Sequence, residues 1–259
     1  MRELTHFIGG KHVSGESGNF GDVFDPNTGE VQAKVPLASD AEVEAAIADA
    51  AQAQVEWASW NPQRRARVLM KFLALINRDM DELARLLSSE HGKTIADAKG
   101  DVQRGLEVVE FATGIPHLLK GEYTEGAGGG IDVYSMRQPL GVVAGITPFN
   151  FPAMIPLWKA GPAIACGNAF ILKPSERDPS VPLMLAELLE EAGLPKGIMH
   201  GHRILEAYVP SLSLVYNLDR DDPDAVFWSP ADWAWVGGLL DLLLIAWRFG
   251  RPVVTSGHR

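Results

Sequence analysis

The chain has 259 residues, 46% hydrophobic and 22% charged, which is enough for a packed core in one large domain or two small ones. Its formal net charge of −10, with no clustered basic surface, excludes a nucleic-acid backbone as the expected partner. The single cysteine excludes an internal disulfide, and MRELTHFIGG carries no apolar signal-like stretch, so a reducing, cytoplasmic setting is expected.

Residues 6–35 read as short strands and turns. Gly9-Gly10 between apolar residues is a hairpin signal, and Asp25-Pro26-Asn27-Thr28-Gly29 is a turn. Three helices are predicted next. Ser39 with Glu42 forms a capping box ahead of Val43, Ile47, Ala50 and Ala51. Asn61 caps a helix whose first residue is Pro62; its stripe is Val68, Leu69, Phe72, Leu73 and Ile76. That helix continues or kinks towards Leu83 and Leu87, and Gly92 is its stop. The third spans roughly Thr94 to Ala112, with Gly114 ending it and Pro116 preventing continuation. Gly126 to Gly130 reads as a flexible turn before a strand over 131–137.

Residues 141–177, GVVAGITPFNFPAMIPLWKAGPAIACGNAFILKPSER, are the most informative stretch. Val142, Val143 and Ile146 make a strand that ends in the polar turn Thr147-Pro148-Phe149-Asn150. A crossover helix follows and Gly167 closes it. A second strand, Ala169 to Leu172, ends in Lys173-Pro174-Ser175-Glu176-Arg177. The two strands are expected to be adjacent and parallel, with both polar turns at their carboxyl ends, where open α/β sheets bind ligands. A further helix is predicted from Ser180 to Ala192. The stretch Trp233–Trp247 is about fifteen residues long and contains Asp241. A spanning helix needs about 20 apolar residues, so a buried helix is expected and no membrane partner. His200 and His202 lack a third ligand nearby, so no metal site is predicted.

The PFNFP and LKPSE strings, about twenty residues apart and joined by an ACGN turn, resemble the aldehyde dehydrogenase superfamily. ITPFNFP, LKPSER and HFIGGKHV are most similar to its CoA-acylating methylmalonate-semialdehyde dehydrogenase group. The resemblance covers roughly residues 4–197. It implies an α/β fold: a helical region packed on the first part of a parallel, Rossmann-like sheet, with oligomerisation strands near 121–139. It also implies NAD as cofactor, CoA as co-substrate and a small aldehyde as substrate. The family forms homo-oligomers, a state not expected of this chain. No G-x-G-x-x-G is present, so dinucleotide binding rests on the resemblance.

The resemblance assigns the Asn150 amide to stabilising the oxyanion formed on thiol attack; the residues alone allow a turn-stabilising Asn. Thr147 and Phe149 would line the nicotinamide side. Lys173 and Glu176 would bind the adenosine ribose hydroxyls as donor and acceptor, with Arg177 at the rim; composition alone reads these three as a solvated charge cluster. Arg104 matches an arginine thought to face the substrate carboxylate, and helix patterning equally allows a surface arginine. Cys166 follows Ala163-Ile164-Ala165 near a helix end and reads as a buried small hydrophobe. In the family the nucleophilic cysteine and the general-base glutamate lie beyond residue 198, and their segments are absent here.

Residues 198–259 change in character. GLPKGIMHGHR, followed by DAVFWSPADWAWVGGLLDLLLIAWRFGRPVV, resembles an acyl- or acetyl-CoA synthetase of the adenylate-forming superfamily, without that family's YTSGTTG loop. The expected domains are therefore 1–197, a partial NAD-binding domain, and 198–259, an unrelated α/β fragment. The leading expectation is a truncated, inactive aldehyde dehydrogenase. The alternatives are a CoA-ligase fragment and a non-catalytic nucleotide-binding or assembly module.

Overall fold

The structure is a computed structural model; it describes residues 1–197 and short strands at 199–200, 227–228 and 253–254. Backbone contacts divide the chain into two units, Met1–His202 and Arg203–Arg259.

The first unit opens with five short strands: β1 (Arg2–Glu3), β2 (His6–Ile8), β3 (Lys11–Val13), β4 (Phe20–Phe24) and β5 (Val31–Pro36). β2 and β3 form the expected hairpin. Ile8 faces Lys11, and Gly9 and Gly10 both take positive φ, +56° and +70°, as a two-residue primed turn requires. β1, β5 and β4 make a separate three-stranded sheet.

Four long helices follow: α1 (Asp40–Ser59), α2 (Pro62–Arg78), α3 (Met80–His91) and α4 (Ile95–Thr113). Ser39 and Glu42 form the predicted capping box. Asn61 caps α2 through Arg64 N–H, with Pro62 in the first turn. The stripe from Val68 to Leu87 is broken at Asp79, which ends α2 and begins α3 without any glycine or proline. Gly114 ends α4 as expected, but Pro116 does not stop the chain from being helical. It sits in the first turn of α5 (Ile115–Leu118), where its missing N–H costs nothing.

β6 (Tyr123–Gly128) and β7 (Ile131–Tyr134) form an antiparallel hairpin. The predicted Gly126–Gly130 turn is thereby corrected: Gly126 to Gly128 belong to β6, and Gly129-Gly130 alone make the turn. A register slip between Thr124 and Gly128 absorbs the extra residues. Asp132 pins that slip by accepting from Gly126 N at 2.9 Å and from the Tyr123 hydroxyl at 2.8 Å.

β8 (Val142–Ile146), α6 (Met154–Ala165), β9 (Ala169–Lys173), α7 (Ser180–Glu191) and β10 (Met199–His200) complete the first unit. β9 lies between β8 and β10, and both pairings are parallel. The strand's period of two assigns its faces. Ile171 packs with Ala46 and Ala50 of α1, while Phe170 and Leu172 join the main core. That core holds Leu69, Phe72 and Ile76 of α2, Leu83 and Leu87 of α3, and Leu157 and Ile164 of α6. Burying each such side chain stabilises the fold by about 1.5–3 kcal/mol.

The α4–α6 contact is unusually close at Gly105. A Cβ there would stand 2.6 Å from Leu157 Cδ1 and 3.1 Å from Met154 Cα. Gly105→Ala would gain helix propensity of about 1 kcal/mol but force the helices apart at a cost of about 1–3 kcal/mol. We expect a net loss, read as a lower urea midpoint at unchanged m-value.

In the second unit, β11 (Phe227–Trp228) and β12 (Val253–Val254) pair in parallel. The expectations for an unrelated α/β fragment, for Trp233–Trp247, and for the His200 and His202 side chains lie outside the described residues. No described helix is long and apolar enough to cross a membrane. Among the described residues no group of three or more His, Cys, Asp or Glu is arranged to hold a metal ion.

Candidate functional site

Two polar turns meet at one edge of the parallel sheet. Ile146 is the register partner of Lys173, and Thr147 N donates to Lys173 C=O at 3.0 Å. Thr147, Phe149 and Asn150 therefore leave β8 beside the point where Lys173, Glu176 and Arg177 leave β9. Both turns lie at the strands' carboxyl ends, the ligand-binding edge of an open α/β sheet.

The side chains at this edge are unlike a solvated cluster. Lys173 is 7% exposed, and its ammonium donates to Glu176 Oε2 at 3.4 Å. Burial lowers the Lys173 pKa, and Glu176 counters by raising it. An ammonium has three donors, so this long contact leaves capacity for a ligand's oxygens. The carboxylate of Glu176 is half exposed beside it. Donor and acceptor thus stand next to each other, the pattern that vicinal hydroxyls would satisfy. The Arg177 guanidinium lies over the Phe149 ring at 4.7 Å and bridges the two turns at their outer rim. Thr147 is buried, and its hydroxyl has no hydrogen-bond partner among the described residues.

The Asn150 turn is held from behind by residues that sequence reasoning missed. Lys93 Nζ donates to Asn150 C=O at 2.8 Å and to Asp101 Oδ2 at 2.7 Å, and lies 4.1 Å from the Phe151 ring centre. Asp101, 1% exposed, also accepts from Met154 N at 2.8 Å, capping the start of α6, which has no cap of its own. His91, half-buried, lies near the same turn, and burial, then Lys93, lowers its pKa. The Asn150 side chain itself is exposed.

Arg104 lies one turn along α4 from Asp101. Its backbone carbonyl accepts from Trp158 Nε1 at 3.1 Å, and its exposed guanidinium makes no ion pair among the described residues. Cys166 lies elsewhere. α6 carries the chain back from the carboxyl edge, about 18 Å over its twelve residues. Cys166 follows it, two residues before Asn168, whose side chain accepts from Leu140 and Gly141 N–H at the start of β8. Burial raises the Cys166 thiol pKa, partly offset by Arg65.

Comparison with known proteins gives this geometry a family. The family model described as "Aldehyde dehydrogenase family" matches residues 12–202. The chain belongs to the aldehyde dehydrogenase family. A malonate-semialdehyde dehydrogenase of Pseudomonas aeruginosa is 52% identical over 200 residues, 77% of this chain and 40% of its own length. The acylating mitochondrial methylmalonate-semialdehyde dehydrogenase of Arabidopsis thaliana is 51% identical over 197 residues, 76% of this chain and 32% of its own. A crystal structure from Sinorhizobium meliloti 1021, assigned to methylmalonate-semialdehyde dehydrogenase and complexed with NAD, superposes with a TM-score of 0.79. Its identity is 56%, and the match covers 98% of this chain and 50% of that one. The chain thus spans about two fifths or less of the length of these curated relatives.

Proposed function

We propose that residues 1–197 form the cofactor-binding portion of a CoA-acylating aldehyde dehydrogenase of the methylmalonate- or malonate-semialdehyde type. The observation that carries this reading is the Thr147–Lys173 backbone bond, which joins the PFNFP and LKPSE turns at one edge. The identity to semialdehyde dehydrogenases, and the NAD bound to the Sinorhizobium relative, support the same reading.

In this reading Lys173 donates to, and Glu176 accepts from, the adenosine ribose hydroxyls of NAD. Thr147 and Phe149 line the nicotinamide side, and Arg177 stacked on Phe149 closes the rim. NAD supplies a hydride acceptor, and CoA is the acyl acceptor in the complete reaction. The Asn150 amide is the oxyanion donor, aimed by Lys93 and Asp101 through the backbone it stands on. Arg104 pairs its two-pronged guanidinium with the carboxylate of the semialdehyde. A small aldehyde is thus the substrate class. The 259 residues hold one thiol, and it is remote from the Asn150 turn, so this chain on its own is not expected to turn the aldehyde over.

Binding tests the reading directly. NAD titrated into the chain by calorimetry should bind, and Glu176→Ala should weaken it roughly tenfold or more, the worth of a charge-assisted hydrogen bond. NADP should bind less well, because its 2′-phosphate would meet the Glu176 carboxylate. Circular dichroism should show both proteins equally folded. NAD binding of equal strength in Glu176→Ala and the wild type would reject the assignment.

A further inference from the structure

The segment Pro174–Pro179 joins β9 to α7 and carries Glu176 and Arg177. Two buried carboxyls lie on its inner side. Glu90, 6% exposed, reaches from the end of α3 to the start of α7. Its Oε2 accepts from Ser180 N at 3.0 Å, and its Oε1 accepts from the Ser180 hydroxyl and from the Arg2 guanidinium. Ser180 N–H and the Arg2 guanidinium can only donate; burial raises the Glu90 pKa and these bonds draw it back down, and the side chain caps a helix that has no cap side chain of its own.

Asp178, 2% exposed, shares this interior. Ser175 lies close enough to pull the Asp178 pKa down a little, but Oδ1 has no hydrogen-bond partner among the described residues. The charged groups that act on it are Glu90 from α3, Lys93 from the α3–α4 connection and Asp101 from α4, and it acts in turn on Lys173 of β9. Arg2 of β1 is engaged by Glu90. Two carboxylates in one buried space repel, and the donors have gone to Glu90, so Asp178 is the one that keeps its proton.

We propose that Asp178 acts as a neutral carboxylic acid that positions the Lys173–Glu176 pair, giving the dinucleotide site its own pH dependence. This rests on the cofactor reading above. While protonated, Asp178 leaves the Lys173 ammonium to Glu176. Once ionised, it competes for that ammonium from the inner side and adds a second negative charge beside Glu90 at the start of α7. Burial, then Glu90, lifts the Asp178 pKa from the ordinary carboxylate range to about 8.

The test follows the Asp178 carboxyl by 13C NMR in the full chain, with calorimetric NAD titrations from pH 6.5 to 9.5. The carboxyl should titrate near pH 8, and the amide signals of Ser175, Glu176 and Arg177 should move with the same midpoint. Only the protonated form leaves the Lys173 ammonium to Glu176, so NAD affinity should be about tenfold weaker at pH 9 than at pH 7, and an affinity unchanged across that range would overturn the proposal. Asp178→Asn, a neutral isostere, should abolish the pH step and keep the pH 7 affinity at pH 9. Glu90→Gln should move the step to lower pH. Stability checks the same proton without any ligand. The folded pKa lies above the unfolded value of about 3.9, so the contribution is fully present below pH 4 and is lost as pH rises towards 8. The melting temperature of the wild type should therefore fall relative to Asp178→Asn across that window. An Asp178 midpoint below pH 6, or a pH step that persists in Asp178→Asn, would overturn the positioning role. No NAD binding at any pH would overturn the cofactor reading instead, with the carboxyl and amide titrations still deciding the role of Asp178.

Discussion

Supplied with NAD, CoA and methylmalonate semialdehyde or propanal, this 259-residue chain should form NADH no faster than the uncatalysed background. A covalent mechanism begins with the nucleophile, and losing that group alone can cost on the order of 10⁶ in kcat. Cys166 is the only thiol. It lies beyond the far end of α6 from the Asn150 turn; it is half-buried rather than fully buried as the sequence suggested, and that burial still favours the thiol over the reactive thiolate. The measurement is absorbance at the NADH band, with and without CoA. Turnover that disappears in Cys166→Ser would show that this thiol reaches the substrate by a route the structure does not offer.

The largest expected loss of stability is at Asp101. Asp101→Ala removes both the anion facing Lys93 and the acceptor for Met154 N–H. Breaking a buried ion pair from one side typically costs about 3–5 kcal/mol. The Lys93 side chain is 17% exposed and can turn towards water, so about 2–4 kcal/mol is expected. Asp101→Asn retains an acceptor for Met154 N–H and should lose less. Denaturant unfolding measures both. Equal, small losses would mean that the network contributes little to the fold.

The local signals were legible in the sequence because their physics is local. Ser39 with Glu42, and Asn61 with Pro62, satisfy donors within three or four residues, so composition and spacing suffice. The strand–helix–strand unit at 141–173 was readable because its turns and its periodicity change within forty residues. The support beneath Asn150 was not. Lys93 and Asp101 act on Asn150 and Met154, 57 and 53 residues away, and nothing near a lysine in a short connection between two helices announces such a partner. Pro116 misled for a related reason. Its effect depends on whether it falls inside a helix or in the first turn of a new one, and that is set where Gly114 ends α4. The glycines at 126–128 read as a turn, yet the cross-strand bonds of Asp132 draw them into β6.

The cap on α7 has a consequence for the order in which the molecule assembles. Glu90 satisfies Ser180 N–H from 90 residues away. The first turn of α7 therefore cannot complete its hydrogen bonding until α3 has docked, however favourable its own sequence. Loop-closure entropy must be met before that contact forms, which places the segment among the late, slow events of folding. The same dependence runs backwards on the native side. A transient withdrawal of α3 releases the α7 amides and the Glu176–Arg177 turn together, so they should exchange with solvent deuterium as one cooperative unit.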